Sequence, residues 1–279
     1  MYVLRERRRG DAVEVYRHPW VVRLAHAMNA VCLVVLFFSG LQILSAHPAL
    51  YWGETSRFDA PLAAIRTDFA TDGSLVGRTE VLGARFDTTG VLGVSRGPAG
   101  SAEARALPAW LTLPPYLDLG AGRAWHFAFA WLFVVNGLIY LAHGLGSGRL
   151  RGQLWPTRTD LAGLAPSLAD HLRMRFPRGE SARHYNAVQK IAYLGVGAAF
   201  IVMLMTGLAM SPTVHAGAPW LGDIFGGRQS ARTVHFLTML ALVAFVIVHL
   251  LMVLLAGPVN ELRAIITGWY RLKPTKEPS

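Results

Sequence analysis

The sequence predicts an all-α membrane protein, a transmembrane four-helix bundle with a long outer loop between helices 1 and 2. Three observations predict it. The 279 residues are 53% hydrophobic and 16% charged, where a soluble domain carries about 25% charge. The apolar excess is gathered into four runs, Val21 to Ile43, Trp125 to Leu145, Ile191 to Met210 and Val234 to Ala256, with Arg23 as their only charged residue. Each run has about the 20 residues that a helix needs to cross roughly 30 Å of hydrocarbon. Finally, the charge is sided. The tail through Arg23, the 147–190 connection and the tail after Ala256 hold 18 basic and 8 acidic residues, whereas 44–124 and 211–233 hold nine of each.

That charge pattern sets the expected topology. Lys and Arg accumulate on the cytoplasmic side of membrane proteins, so both termini and the 147–186 inner segment are placed there. The net charge of +10 then reflects contact with membrane lipid and leaves no case for nucleic acid. The chain reads as one membrane domain, 1–279, with spans at 20–44, 122–146, 187–210 and 232–256. An outer loop runs over 46–120. The first 18 residues are polar and Arg-rich, so no cleavable signal peptide is expected and span 1 serves as its own signal anchor. Cys32 is the sole cysteine, which excludes an internal disulfide, a Cys-x-x-Cys-His haem attachment and thiolate metal sites.

The outer loop is too long for a simple turn. Its stretch from Glu80 to Phe86 can pair as a hairpin, and Pro114-Pro115 stops any helix before span 2. In the inner segment, Leu161 to Met174 reads as a short helix on the membrane surface.

Five of the ten histidines lie in or beside spans: His26, His126, His143, His235 and His249. An imidazole in hydrocarbon needs a partner, and five are hard to explain as packing residues. His235 and His249 are 14 residues apart on one span. That spacing returns within about 40° of the same helix face after a rise of about 21 Å. His126 begins span 2 at the depth of His235, and His26 begins span 1 at the depth of His249. A b-type haem takes one imidazole on each face. The pairs His126 with His235 and His26 with His249 would therefore hold two haems stacked across the bilayer. His143 falls on a different face and could replace His26, though a headgroup-level role suits it better. His18, His47, His171, His184 and His215 lie outside the spans and read as mostly solvated. Gly40, Gly137, Gly195, Gly197 and Gly207 would admit a flat macrocycle or another helix. Arg23, Arg123 and Arg232 lie near the proposed ligands and could pair with haem propionates or anchor the interface.

These features resemble the bacterial dihaem cytochrome b subunits, the group of cytochrome b561 and the membrane subunits of nickel–iron hydrogenase and formate dehydrogenase, and in particular its thiosulfate reductase cytochrome b branch. The resembling segments are Arg17 to His26, Gly122 to His126, Asn136 to Tyr140, His184 to Lys190, and His235 with His249. The resemblance implies the same four haem ligands, His26, His126, His235 and His249, and gives His143 no ligand role. It also implies a quinone site at the inner haem, near Asn186 and Gln189, where an amide can bond a quinone carbonyl.

The function so implied is transmembrane electron transfer in the bacterial inner membrane. A periplasmic-side oxidoreductase subunit, molybdopterin-dependent in that branch, would exchange electrons with menaquinone or ubiquinone through two haem b. The chain would then be the cytochrome b subunit of a quinone-linked respiratory oxidoreductase. Two other readings stay open: a stand-alone superoxide:quinone oxidoreductase, and a haem-free transporter or membrane anchor.

Overall fold

A computed structural model describes residues 5–10, 12–97, 100–173 and 185–272. The chain is mostly helical, and the four apolar runs form its longest helices. Strands β1 (Glu6–Arg9) and β2 (Ala12–Tyr16) lead into helix α1 (Trp20–Ala46). Strands β3 (Ala49–Leu50), β4 (Ala63–Phe69), β5 (Leu75–Val81), β6 (Ala84–Asp87), β7 (Val94–Arg96) and β8 (Ala102–Ala104) follow, and then α2 (Leu119–Gly146). Two short helices, α3 (Arg158–Ala162) and α4 (Leu164–Leu172), precede α5 (Ala187–Met210). After α6 (Pro212–Gly217) and α7 (Trp220–Asp223) come α8 (Arg228–Ala256), α9 (Pro258–Thr267) and β9 (Trp269–Arg271). By length and composition, α1, α2, α5 and α8 can each cross a membrane. They expose large apolar side chains such as Val34, Ile139, Ile201 and Leu251, which suits helices whose solvent is lipid.

The expectation of an all-α chain is too narrow. The described residues include three antiparallel sheets, ordered β1-β2-β9, β3-β4-β5-β6 and β7-β8. The 80–86 hairpin is β5 with β6, pairing Val81 with Ala84 around Leu82 and Gly83. Both turn residues have positive φ, 50° and 83°, as a two-residue hairpin turn requires. The short helix expected over 161–174 is two helices broken at Gly163, and it starts earlier, behind a reciprocal Thr157–Asp160 cap. Met174 and His184 lie outside the described residues.

The chain forms two compact units. The first comprises 1–29, 134–200 and 241–279. Glu14, on β2, is enclosed there by Arg7, Arg263 and Arg271, and Ala264 packs on Tyr270. The second comprises 30–133 and 201–240. Within it, Ala209, Leu221 and Ala231 form a core with Met205 and Phe225 around them. The segment between α1 and α2 is tied to the start of α8. Ser230 accepts from the Gly53 amide at 2.7 Å, and Thr233 donates to the Tyr51 carbonyl at 2.6 Å. Arg105, buried, binds the carbonyls of Leu107 and Pro115 and the Thr112 hydroxyl. This bonding sets how the chain enters α2.

Candidate functional site

Each unit brings two predicted histidines together. In the second unit, His126 on α2 faces His235 on α8, with ring centres 6.3 Å apart and planes inclined by 59°. Two hydroxyls absent from the sequence-based site grip these rings. Ser39 Oγ on α1 lies 3.1 Å from His126 Nδ1, and Thr206 Oγ1 on α5 lies 2.9 Å from His235 Nδ1. Both hydroxyls also donate to a carbonyl one turn earlier, Val35 and Val202, each at 2.6 Å. Since a hydroxyl has one proton, its oxygen is left to accept from the imidazole N–H. The Leu36 and Met203 carbonyls beside the two rings can likewise only accept. The proton therefore sits on Nδ1, and Nε2 keeps its lone pair.

The residue after each hydroxyl is glycine, and here space is the reason. A Cβ on Gly40 would come within 3.3 Å of His126 Cε1, and one on Gly207 within 3.7 Å of His235 Cε1. Arg232 donates to the His47 carbonyl, and His47 is not a solvated residue: its ring packs on Tyr51 and Phe58. Burial, then the charge of Arg232, pushes the His47 imidazole below its ordinary range. Arg123 is exposed, with its guanidinium over Phe127.

In the first unit, His26 on α1 faces His249 on α8, with ring centres 6.4 Å apart and planes inclined by 55°. Phe245, one turn earlier on α8, stacks on His249 at 5.9 Å and 15°. Asn136 of α2 secures this end of α1, donating to the Ala25 carbonyl at 3.0 Å and to Asn29 Oδ1 at 2.7 Å. Arg23 reaches the Ile266 carbonyl, while its buried Nε has no hydrogen-bond partner among the described residues. Arg149 donates to the Arg17 carbonyl. Arg17 covers the rings of Tyr185 and Tyr270. His18 is not solvated either. Burial, then Arg17 and Arg149, hold its imidazole down to about 3, so it is neutral at physiological pH. His143 is half-buried, with an enclosed Nε2 that lacks a partner among the described residues.

Asn186 and Gln189 sit at the N-terminus of α5 and bond reciprocally. The Gln189 amide N–H meets Asn186 Oδ1 at 2.9 Å, and the Asn186 N–H meets Gln189 Oε1 at 3.1 Å. This is a capping box. Both side-chain oxygens are spent on the helix end.

The paired imidazoles fit a haem iron. An imidazole nitrogen bonds a first-row metal at about 2.0–2.1 Å, and the ring centre lies about 1.1 Å behind that nitrogen. Rings on opposite sides of one iron thus have centres about 6.3 Å apart, the spacing of both pairs. Arg23, three residues before His26 in sequence, has an Nε–H without a hydrogen-bond partner among the described residues and could take an anionic group. Among the described residues there is no cluster of three or more His, Cys, Asp or Glu able to hold a metal unaided. Ser39 and Thr206 had one legible sign in the sequence, the Ser-Gly and Thr-Gly steps inside otherwise apolar spans.

Residues 17–268 match the model of the family described as prokaryotic cytochrome b561. A protein of Azospira oryzae named as a candidate protein-methionine-sulfoxide reductase subunit, YedZ1, is 42% identical over 162 residues, covering 58% of this chain and 77% of that protein. No solved structure matches the chain. Four helices able to cross a membrane, two pairs of facing imidazoles and a match over most of the sequence meet in one statement: the chain belongs to the prokaryotic cytochrome b561 family, membrane proteins that bind b-type haem and serve transmembrane electron transfer.

Proposed function

We propose that this chain is the dihaem cytochrome b subunit of a quinone-linked oxidoreductase in the bacterial inner membrane. In this reading α1, α2, α5 and α8 form a transmembrane four-helix bundle, a single membrane domain over 1–279. His126 with His235, and His26 with His249, each take one haem b. Haem, when bound, supplies a one-electron couple. The protein's own work would be to hold the iron between two imidazoles, which would leave no position open for oxygen. The observation that carries the reading is the ring-centre separation, 6.3 and 6.4 Å in the two pairs.

The basic charge on the termini and on 147–186 favours a cytoplasmic location for both termini and that segment, with 46–120 facing outward. The outward segment would meet a periplasmic-side oxidoreductase subunit, and the name of the Azospira oryzae relative, a reductase subunit, favours a partner of that kind over a stand-alone superoxide:quinone oxidoreductase. The quinone, menaquinone or ubiquinone, would bind beside His26 and His249. Because capping occupies the oxygens of Asn186 and Gln189, Gln189 would meet a quinone carbonyl through Nε2. Arg23 is the best placed of the three propionate candidates. Arg232 is engaged at the His47 carbonyl, and Arg123 is exposed over Phe127.

Haem quantitation tests the assignment. Purified wild-type protein should hold two haems, and His126→Ala and His26→Ala one each. Full haem content in both variants rejects the ligands. Native co-purification of a second redox subunit supports the anchor reading, and its absence alongside superoxide-driven quinone reduction replaces it with the stand-alone enzyme.

A further inference from the structure

The His126–His235 pair differs from the His26–His249 pair in what stands behind the rings. Ser39 and Thr206 come from two different helices, yet each meets an Nδ1 at 2.9–3.1 Å. Each also spends its proton on a carbonyl of its own helix. Neither ring of the other pair has a hydroxyl partner among the described residues, and His249 is instead backed by Phe245. A serine or threonine inside a helix commonly bonds the carbonyl one turn back. Here that bond turns the oxygen lone pair outward, to a ring on the neighbouring helix.

We infer that Ser39 and Thr206 are positioning residues that fix His126 and His235 as Nε2 ligands and lower the potential of the haem between them. This rests on the ligand assignment proposed above. An acceptor on Nδ1–H raises the basicity of the ligating nitrogen. A more basic ligand favours the ferric state, and hydrogen bonding behind the axial ligand is one of the levers that set a haem potential. With two such acceptors, both imidazoles that would hold one haem would be tuned in the same direction, while among the described residues the other pair lacks the device. Gly40 and Gly207, the next residues along, let the rings lie close enough to be held.

The test is a spectroelectrochemical titration of the purified, haem-loaded full chain. Samples are wild type, Ser39→Ala, Thr206→Val, the double variant, and the conservative pair Ser39→Thr and Thr206→Ser. His126→Ala, which should lack the haem in question, identifies its component by subtraction. Ser39→Ala and Thr206→Val should each keep two haems and raise that component's midpoint potential. The double variant should raise it further, the conservative variants should restore it, and the other component should stay in place. The ferric low-spin electron paramagnetic resonance signal of the same haem should move with the potential. Two haems at unmoved potentials and an unmoved resonance overturn the inference while leaving the ligands intact. Equal shifts of both components overturn it as well, because the effect would not be local. Full haem content in His126→Ala instead defeats the ligand assignment itself.

Discussion

Glu14 and Arg263 form a 2.9 Å ion pair that joins strand β2 to helix α9 across 249 residues of sequence. Arg7 holds the other carboxylate oxygen at 2.8 Å, and Arg271 stands at 3.5 Å. Burial opposes the charge on Glu14, but the hydrogen bond from Arg7 and the charges of Arg263, Arg7 and Arg271 prevail and hold the carboxyl below its ordinary range. A depressed carboxylate stabilises the fold above its unfolded pKa, and the gain is lost as pH falls through the folded value. Glu14→Gln should cost about 2 kcal/mol at neutral pH, less than a fully buried pair because Arg7 and Arg271 are half in solvent. Thermal unfolding in detergent should show the gap from wild type closing as pH falls. A gap that persists in acid rejects the role of the charge.

Asp160 does double duty in the first unit. It accepts from Lys190 at 2.7 Å and caps α3 through the Thr157 amide at 2.8 Å. The bond from Lys190, then the Thr157 amide and hydroxyl, hold its carboxyl down to about 2. Its contribution is therefore complete above the ordinary carboxylate range and disappears as pH falls towards 2. Asp160→Ala should speed hydrogen exchange in residues 157–162 at neutral pH, while Asp160→Asn should do so less because an acceptor remains. Unchanged exchange in Asp160→Ala would show that the cap holds nothing.

His235 and His249 share α8 but serve different pairs. His235→Ala and His249→Ala should each lose about one of two haems. The double variant His126→Ala/His235→Ala should lose no more than either single variant, since in the proposed pairing both would act on one haem. Loss of both haems in the double variant would break the pairing.

Gln189 offers a separation of roles. Glutamate keeps the oxygen that the capping box needs but removes the amide donor. Gln189→Glu should preserve folding and haem content while raising the apparent KM for quinone several-fold. An unchanged KM would leave Gln189 as a helix cap alone.

The two glycines under the rings should respond unequally. Gly207→Ala places a methyl at ordinary contact, 3.7 Å, whereas Gly40→Ala places one at 3.3 Å from His126 Cε1. Gly207→Ala should retain full haem. Gly40→Ala should weaken retention of the His126–His235 haem in a dilution or haem-transfer assay. The reverse order would contradict the geometry.

Much of this was legible before any coordinates, because two periodicities carry it. Span length follows from the rise per residue, and the four apolar runs became the four long helices. The helical repeat placed His235 and His249 on one face, and each does meet the partner that depth suggested. The sheets were harder to read. β2 pairs with β9, whose residues lie more than 250 positions later, and β3, β7 and β8 are two or three residues long, too short to show alternation. Ser39 and Thr206 stayed hidden because a helical hydroxyl usually satisfies itself locally. Its free lone pair matters only when the fold sets a ring against it. Asn186 and Gln189 drew attention as quinone partners, but their spacing of three residues is also that of a helix-end cap.

In the dihaem reading, the hydroxyls behind His126 and His235 would bear on biogenesis as well as on potential. A ring already tethered at Nδ1 has little rotational freedom left to surrender when a porphyrin arrives, so that pocket would be preorganised in the newly inserted polypeptide. His26 has no such tether among the described residues, and in the dihaem reading its orientation would be completed only on cofactor binding. The dihaem reading thus implies an order of maturation, in which the tethered pocket would capture its cofactor first and the untethered one would close afterwards.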